Sequence, residues 1–409
     1  MPVNSGDTAW ILISSALVLL MTPGLALFYG GMARRKNLLS TIMMSFAMMC
    51  LIGIVWALWG YSIGFGSDIG GLLGSLNFFG LSGVGMLPSD VYATSVPHLA
   101  FMAFQGMFAI ITVALITGAV VERIKFSALL LFSAIWVTVV YSPVCHWVWG
   151  NGGWLGGIGA LDFAGGAVVH INAGVSALAL VLLLGRRKGF PGTIMEPNNI
   201  PFVTIGAGLL WFGWFGFNAG SSLAANGLAA NAFVTTNISA AAAGFTWMML
   251  SWIHRRPSLL GTVTGAVAGL VAITPAAGFV TPMAAIPIGI LVSVISYYAV
   301  MLMKEKLGFD DSLDVFAVHG VGGIWGSLAT GIFASESVGG VSGLIEGNIG
   351  QLGTQVISIL VVGAFAFVLT LIIGKLVDIT IGLRVTEEEE TLGLDIAQHG
   401  ERAYGGLLR

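Results

Sequence analysis

Two histidines lie inside long apolar, glycine-rich segments, where an ionisable side chain is costly. They are His170, in Asp162-Phe-Ala-Gly-Gly-Ala-Val-Val-His170, and His319, in Asp314-Val-Phe-Ala-Val-His319-Gly-Val-Gly-Gly. Both segments are long enough to cross a bilayer, where an ionisable group by default marks a transport or proton path. Two facing imidazoles can share one proton and form a hydrogen-bonding path without net charge. The alternative is a pair of core histidines that serve only helix packing.

An aspartate precedes each histidine at the expected start of its helix. Asp162 lies eight residues before His170, and Asp314 lies five residues before His319. A carboxylate there accepts hydrogen bonds from the first backbone N–H groups and meets the positive end of the helix dipole. We therefore expect both aspartates to cap helices. Eight residues at about 1.5 Å each put His170 ~12 Å into its span, near the bilayer centre.

Aromatic residues cluster in three of the apolar segments. Phe104 and Phe108 are four residues apart and share a helix face, as do Phe217 and Ser221. Trp214 lies in the same segment as Phe217, and Trp149 lies at the end of a third segment. One interpretation is an interfacial aromatic belt. The other is a cage for a cation, which aromatic faces attract by about 2 kcal/mol or more once it is desolvated, with the Ser221 hydroxyl as hydrogen-bond acceptor.

The composition requires a membrane protein with many spans. Only 9% of the 409 residues are charged, against roughly 25% in soluble domains, and the mean hydropathy is +0.94. We predict an all-α fold with eleven transmembrane helices, each near the ~20 residues that a span needs. The predicted spans cover about 8–30, 41–65, 98–120, 126–148, 162–184, 199–221, 232–254, 258–277, 284–303, 314–335 and 352–376.

Positive charge falls on one side of these spans. Fifteen of the sixteen Lys and Arg residues follow an odd-numbered span, and Lys375 lies at the end of the eleventh. None lies in the loops 66–97, 149–161, 222–231, 278–283 or 336–351. The positive-inside rule then places the N-terminus outside and the C-terminus in the cytoplasm. An odd number of spans also puts the two termini on opposite sides of the membrane, in agreement with this orientation. Residues 8–30 follow no basic n-region, so we expect a retained first span.

The two histidines also indicate an internal repeat. His170 lies in the fifth predicted span and His319 in the tenth, so each half has an odd number of spans and the second half enters the membrane inverted. We expect repeats over about 8–184 and 199–335 within a transporter domain of residues 1–376. The eleventh span lies outside the repeat. Residues 377–409 are expected to form a docked cytoplasmic tail.

Four motifs resemble those of the ammonium transporter family (Amt/Mep/Rh), on its Amt/Mep side. They are Asp162-Phe-Ala-Gly-Gly-Ala-Val-Val-His170, Gly213-Trp-Phe-Gly-Phe-Asn-Ala-Gly-Ser221, Asp314-Val-Phe-Ala-Val-His319-Gly and Gly400-Glu-Arg-Ala-Tyr404. The similarity runs from about Asp7 to Tyr404. It implies a plasma-membrane homotrimer with one pore per subunit, ammonium, ammonia or methylammonium as substrate, and a tail that serves regulation, including by a cytoplasmic PII-type protein.

The resemblance also implies a role for each residue of the two clusters. The outer recruitment site for ammonium would comprise Phe108, Trp149 and Ser221. The gate below it would comprise Phe108 and Phe217. The pore would be lined by His170, His319, Trp214 and Phe104. Asp162 would support the recruitment site structurally without binding the substrate.

The expected mechanism follows from the cost of moving a charge through an apolar tube, which is many kcal/mol. Ammonium would leave its proton near the cage, ammonia would pass the histidines, and a separate proton relay would make uptake electrogenic. The alternatives are a passive channel for ammonia or another neutral gas, as on the Rh side of the family, and an ammonium sensor.

We expect no enzyme, no cofactor and no nucleic-acid partner. The sequence has no His-Glu-x-x-His motif and no third ligand near either histidine. Cys145 and His146 are adjacent, and neighbouring helical side chains point about 100° apart. A metal site is therefore not expected.

Overall fold

The computed structural model describes residues 2–404, and long helices packed side by side make up most of it. Within this range, nine helices are long and apolar enough to cross a membrane. They are α1 (Ser5–Met32), α2 (Arg35–Phe65), α3 (His98–Val120), α4 (Phe126–Gly157, with a turn at 150–153), α5 (Gly166–Leu184), α6 (Ile200–Gly220), α9 (Pro282–Lys306), α10 (Phe316–Phe333) and α11 (Ile349–Ile381). Arg409, one of the predicted cytoplasmic cations, lies outside the described residues.

The other two predicted spans are also helical, but they differ from these nine. Helix α7 (Gly227–His254) has 28 residues, and it is more polar because Asn, Ser and Thr recur along it. Helix α8 (Leu259–Ile273) has only 15 residues. The multi-span helical class is therefore confirmed, whereas the count of eleven spans stays a prediction.

Several spans contain a π-helical turn, which locally widens the helix and often occurs at functional sites. Two of these turns open α5 and α10, at Gly166–Ile171 and Phe316–Gly320, and each contains one of the two histidines. The others are Trp56–Gly60 in α2, Val137–Tyr141 in α4 and Leu302–Lys306 in α9.

Short elements cover the ends of the bundle. A hairpin of β1 (Asp68–Ile69) and β2 (Leu73–Gly74) is followed by a 3-10 segment, Leu76–Leu81. Single turns lie at Glu336–Gly339 and Leu344–Glu346. Two tail helices follow α11: α12 (Glu387–Leu392) and α13 (Leu394–His399).

Helix α1 packs along α6, and α5 crosses α10. A Cβ on Gly174 of α5 would collide with the backbone of Gly320 in α10, so only glycine permits this approach. Small residues let helices pack closely where lipid provides no hydrophobic drive for association. This crossing brings the two histidine-bearing turns together.

One end of the bundle, which we call the basic end, is held by a buried ion network. Glu122 binds Arg34 at 2.7 Å and Arg187 at 3.0 Å, and Arg187 also binds Asp310 at 2.7 Å. Burial alone raises the pKa of Glu122, but the Arg187 and Arg34 guanidinium groups outweigh it and lower that pKa below its usual value. Burial also raises the pKa of Asp310, but its hydrogen bond and ion pair with Arg187 outweigh burial and lower that pKa below its usual value.

The tail is docked on the basic end. Glu390 accepts hydrogen bonds from Arg384 Nη2 at 2.8 Å and from the backbone N–H of Lys188 at 2.6 Å. Asp395 accepts one from the backbone N–H of Ser40 at 2.8 Å, in the first turn after the 3-10 start of α2. The tail thereby joins the start of α2 to the loop after α5, which are distant in sequence.

One predicted helix cap is wrong. Asp314 has a positive φ of 61° and binds Lys304 Nζ at 2.8 Å instead of capping α10. The backbone N–H of Phe316, the first residue of α10, donates to Asp311 Oδ2 at 2.7 Å. The chain turns at Asp314, which directs its carboxylate away from the helix start and leaves the cap to Asp311.

This correction makes the two histidine segments more alike. Asp311 lies eight residues before His319, the spacing that separates Asp162 from His170. Both aspartates accept the backbone N–H of the fifth residue after them, at 2.7 and 2.8 Å. The cap and the histidine therefore have the same register in both segments.

Exchanging Asp311 for alanine should destabilise the protein more than exchanging Asp314. Loss of a helix cap costs about 1 kcal/mol, while a partly exposed ion pair such as Asp314–Lys304 contributes about 0–1 kcal/mol. Thermal unfolding of the detergent-solubilised D311A and D314A variants compares the two. A larger loss in D314A would contradict the corrected cap.

The ion network of the basic end should make stability fall in acid. The folded-state pKa values of Glu122 and Asp310 are lowered, so their stabilisation is present above pH ~4.5, the unfolded range, and is lost as the pH falls through the folded values. Glu122→Gln should cost about 3 kcal/mol at pH 7, because it breaks a buried pair, and should flatten the acid dependence of the unfolding midpoint. Exposed Glu196→Gln is the control, and an unchanged acid dependence in E122Q would refute the assignment.

Candidate transport site

The two histidines face each other. His170 Nδ1 and His319 Nδ1 are 3.2 Å apart, and the ring centroids are 5.3 Å apart. Two neutral imidazoles can make this contact when one Nδ1 donates its proton and the other accepts it. His170 Nε2 is buried without a hydrogen-bond partner among the described residues. The pair therefore keeps a free polar nitrogen inside an apolar region.

Asp162 fixes the helix that presents His170. Asp162 Oδ1 accepts the N–H groups of Gly165 and Gly166 at 2.8 and 2.5 Å, and Oδ2 accepts those of Ala167 and Val168 at 2.8 and 3.0 Å. A carboxylate offers about four lone-pair sites. Backbone N–H groups occupy all four sites, so the Asp162 carboxylate has no lone pair left to bind a cation.

The same aspartate positions an aromatic residue through its main chain. Trp149 Nε1 donates to the carbonyl oxygen of Asp162 at 2.8 Å. The indole N–H is thus occupied, and the ring lies edge-on to Phe108, with centroids 5.9 Å apart. Asp162 therefore links the start of α5 to the ring arrangement at the end of α4.

A column of rings leads from this arrangement to the histidines. Phe108 lies against Phe217 with centroids 4.3 Å apart, and Phe217 stacks on His170 at 6.0 Å. Trp214 stacks on His170 at 5.4 Å, and its Nε1 donates to Thr274 Oγ1 at 2.8 Å. The indole N–H is therefore satisfied by Thr274, and the apolar face of the Trp214 ring lies against the His170 imidazole.

Two cavities approach the column from opposite sides. We call the cavity farther from the basic end the outer cavity and the one nearer to it the inner cavity. The outer cavity, of about 340 Å³, is lined by Phe108, Trp149 and Ser221 together. The inner cavity, of about 280 Å³, reaches His319. The space between them, lined by His170, His319, Trp214 and Phe217, measures only about 10 Å³, room for about one water molecule. The two cavities are separated by a narrow, mostly apolar constriction.

One predicted pore residue lies outside this path. Phe104 is fully buried and packs edge-on against Phe108, with centroids 4.9 Å apart. It lines none of the three cavities, because its ring fills the space beside Gly220 of α6. Sharing a helix face with Phe108 therefore does not bring Phe104 to the cavities.

The sequence reading missed three residues of the site. Tyr29 lines the inner cavity, and Gln105 lines the outer one. Thr274 accepts the hydrogen bond that orients Trp214. Gln105 could have been found from its spacing, since it lies three residues before Phe108 and shares its face. Tyr29 and Thr274 are contacts between distant spans that no local pattern indicates.

His146 makes two contacts outside the column of rings. Its Nε2 lies 2.9 Å from Asp68 Oδ1, and its Nδ1 lies 3.0 Å from the carbonyl oxygen of Gly64. Residues 2–404 contain no group of three or more His, Cys, Asp or Glu that could hold a metal ion. His146 links α4 to the hairpin and to the end of α2.

These features define the class of the protein. Many apolar helices surround two cavities that are separated by a narrow constriction with paired polar nitrogens, which is the arrangement of a membrane transporter or channel.

Comparison with known proteins gives the family. The family model described as Ammonium Transporter Family matches residues 9–404. The chain is 51% identical over 402 residues to Ammonium transporter Amt1 of Archaeoglobus fulgidus, covering 98% of this chain and 100% of that protein. It is 50% identical over 405 residues to the ammonium transporter of Bacillus subtilis, covering 98% and 99%. The chain therefore belongs to the ammonium transporter family, and the family predicted from its motifs is confirmed.

Solved structures agree with the fold. The crystal structure of Saccharomyces cerevisiae Mep2 superimposes with a TM-score of 0.90 at 38% identity, covering 98% of this chain and 92% of that one. A structure named Sensor Amt Protein matches with a TM-score of 0.90 at 31% identity, covering 96% and 98%. The helical membrane architecture is thus shared with both.

Asp162→Asn should destabilise the protein although it preserves size. The amide has one accepting oxygen, so its NH₂ group would face two of the four backbone N–H groups. Loss of two hydrogen bonds to a charged acceptor, each worth about 1.5–3 kcal/mol, should lower stability by roughly 3 kcal/mol. Thermal unfolding in detergent measures this loss, and exposed Asp90→Asn is the matched control. A D162N variant as stable as the wild type would show that the four hydrogen bonds do not hold this turn.

Proposed function

We propose that this protein takes up ammonium by separating it into ammonia and a proton. The observation that carries the proposal is the 3.2 Å contact between the two imidazoles inside the constriction of about 10 Å³. A hydrated or intact cation does not fit an apolar space of that size without severe desolvation. A neutral ammonia molecule can pass, because it can exchange hydrogen bonds with imidazole nitrogens.

The outer cavity is the proposed recruitment site. Phe108 and Trp149 offer ring faces and edges to a cation, and the Ser221 hydroxyl donates to the carbonyl oxygen of Phe217 at 2.9 Å. Its lone pairs therefore remain available to accept from ammonium. Phe217, pressed against Phe108, is the proposed gate, and its displacement would open the way to His170.

In the proposed step, one N–H bond of ammonium breaks at the inner edge of the recruitment site. The electron pair stays on nitrogen, ammonia moves past His170, His319 and Trp214, and the proton travels separately along the paired imidazoles. Ammonia and the proton recombine in the inner cavity. Uptake is then electrogenic, with one charge moved for each nitrogen. Asp162 supports the site without contacting the substrate.

The arrangement of the whole chain is part of the proposal. The contacts of α1 with α3, α3 with α5 and α5 with α10 have counterparts in α6 with α8, α8 with α10 and α10 with α5, which supports an inverted repeat of five helices plus an eleventh span. We propose a plasma-membrane homotrimer with one pore per subunit, an external N-terminus and a cytoplasmic basic end. The docked tail, predicted as 377–409, is the proposed regulatory element, with a PII-type protein as partner.

A second candidate function is ammonium sensing, favoured by the similarity to the structure named Sensor Amt Protein. A third is passive conduction of ammonia through the same constriction. The three candidate functions differ in the current that they produce. Relayed transport gives uptake with current, and passive conduction gives uptake without current. A sensor that does not transport gives neither.

Currents from purified protein on a supported membrane test the proposal. Ammonium should evoke a current in the wild type, and potassium should evoke none. His170→Ala should reduce the ammonium current by roughly tenfold or more, as the loss of a polar partner worth about 1.4 kcal/mol or more predicts. His254→Ala is the matched control, since His254 is exposed at the end of α7. Uptake of nitrogen without current would contradict the relayed mechanism and favour passive conduction.

A further inference from the structure

His146 lies at the end of the bundle opposite the basic end, with both of its ring nitrogens against oxygen atoms. Nε2 is 2.9 Å from Asp68 Oδ1 in the β1–β2 hairpin, and Nδ1 is 3.0 Å from the carbonyl oxygen of Gly64 in α2. The imidazole is 0% exposed, and a Cβ on Gly150 would collide with it. The ring is therefore fixed between these segments, and neither nitrogen reaches water unless they move.

Both of these oxygen atoms accept hydrogen bonds and donate none. A backbone carbonyl has no hydrogen to give, and neither has an ionised carboxylate. The hydrogen bond from His146 lowers the pKa of the Asp68 carboxyl below its usual value, which keeps that group ionised. A neutral imidazole has one N–H group and one lone pair, so it would satisfy one oxygen and turn its lone pair to the other. The imidazolium, with two N–H groups, donates to both.

The surroundings of His146 supply one charged side chain, that of Asp68. No Lys or Arg occurs in the loops 66–97 and 149–161, so no cation from these loops competes for the Asp68 carboxylate. Burial raises the pKa of the nearby Tyr92 phenol to about 12. The other titratable groups around the neighbouring Cys145 are its own thiol and the phenols of Tyr61 and Tyr141, which are uncharged at neutral pH.

None of the other five histidines, all of which lie within the described residues, has both ring nitrogens against oxygen atoms that only accept. His170 and His319 contact each other through Nδ1, and His98 faces the Tyr61 hydroxyl, which can donate as well as accept. Those contacts are satisfied by neutral rings. The geometry that requires a second proton is therefore specific to His146.

Asp68 connects this proton to the fold of the hairpin. Its Oδ1 also accepts the backbone N–H of Gly71 at 2.7 Å, within the turn between β1 and β2. The hairpin is further bound to α4 through two carbonyl oxygens: that of Gly71 accepts the backbone N–H of Trp154 at 3.2 Å, and that of Leu72 accepts Trp147 Nε1 at 2.9 Å. Of these contacts with α4, the one between Asp68 and His146 depends on a proton that can be lost near neutral pH.

We propose that His146 is a proton-binding site outside the transport path, which fastens the β1–β2 hairpin to α4 while the ring is an imidazolium and releases it when the ring is neutral. The proton is exchanged with solvent beside Asp68, whose side chain is 32% exposed. On its loss, the buried Nδ1–H group keeps its bond to Gly64, and the Nε2 lone pair faces the carboxylate. Asp68 then turns to water, so the fastening is present in acid and is lost as the pH rises.

Hydrogen–deuterium exchange of the detergent-solubilised wild type tests this release. We measure the peptide amides of residues 66–76 between about pH 5.5 and 8.5, the range in which histidine titrates, and correct for the intrinsic pH dependence of exchange. Their protection should fall by roughly tenfold across this range, the effect of one hydrogen bond to a charged group. Peptides of α6, which contains no titratable side chain, are the internal reference. Constant protection of the hairpin would overturn the proposal.

Two variants separate the proton from the packing. His146→Gln cannot titrate, so the hairpin should have the low protection of the alkaline wild type at every pH. Asp68→Asn should keep most of the protection and lose its pH dependence, because an amide can accept from an imidazolium or donate to a neutral ring. A purely structural role predicts instead that both variants lose protection alike. His254→Gln, at the exposed end of α7, is the matched control and should keep the pH dependence of the wild type, whereas persistence of that dependence in H146Q would overturn the proposal.

Nitrogen NMR of protein labelled with ¹⁵N-histidine observes the proton itself. At about pH 6, near the ordinary titration of histidine, both ring nitrogens of His146 should be protonated, with their signals assigned by their loss in H146Q. If H146Q does not fold, D68N gives the assignment, because its Nε2 signal alone should move. An unprotonated ring nitrogen of His146 at this pH would overturn the proposal, whatever the protein transports.

Discussion

The cost of placing a bare charge in an apolar passage governs this structure. The space between the two cavities is about 10 Å³ and is lined mostly by carbon. An ion that keeps its water cannot enter it, and an ion that loses its water gains little in return. The polar groups at the constriction are two imidazoles that can share a proton, and a neutral hydrogen-bonding molecule suits such a passage better than any cation.

The surrounding helices hold the two histidines in place without pairing either of them with a charged side chain. Asp162 and Asp311 place carboxylates at the starts of α5 and α10, yet backbone N–H groups occupy all four acceptor sites of Asp162. The close crossing of the helices at Gly174 and Gly320 brings their first turns together. The ion pairs of the basic end lie outside the spans, and the residues that line the constriction include no Asp, Glu, Lys or Arg.

Much of this organisation is readable from the sequence because membrane burial imposes simple rules. The apolar stretches, the one-sided cations and the two intramembrane histidines each follow from the cost of charge in lipid. Family membership and the multi-span helical class were predicted correctly. The sequence suggests that His170 and His319 face each other, and the geometry agrees. Their role in transport stays a prediction.

What the sequence did not provide depends on contacts between distant segments. Asp314 is the acid nearest its apolar run, which predicts a cap, but a turn of positive φ gives that role to Asp311. Phe104 shares a helix face with Phe108, yet the neighbouring helix determines that it lies behind that ring.

In the proposed mechanism, ammonium gives up a proton before its nitrogen passes the histidines. The most direct test compares the ammonium-evoked current of the wild type in light and heavy water, with glycerol added to light water to match the viscosity. If a proton is transferred along the path, the current should be clearly smaller in heavy water than in the viscosity-matched control. Equal currents in the two would mean that the intact cation crosses, and would contradict the account.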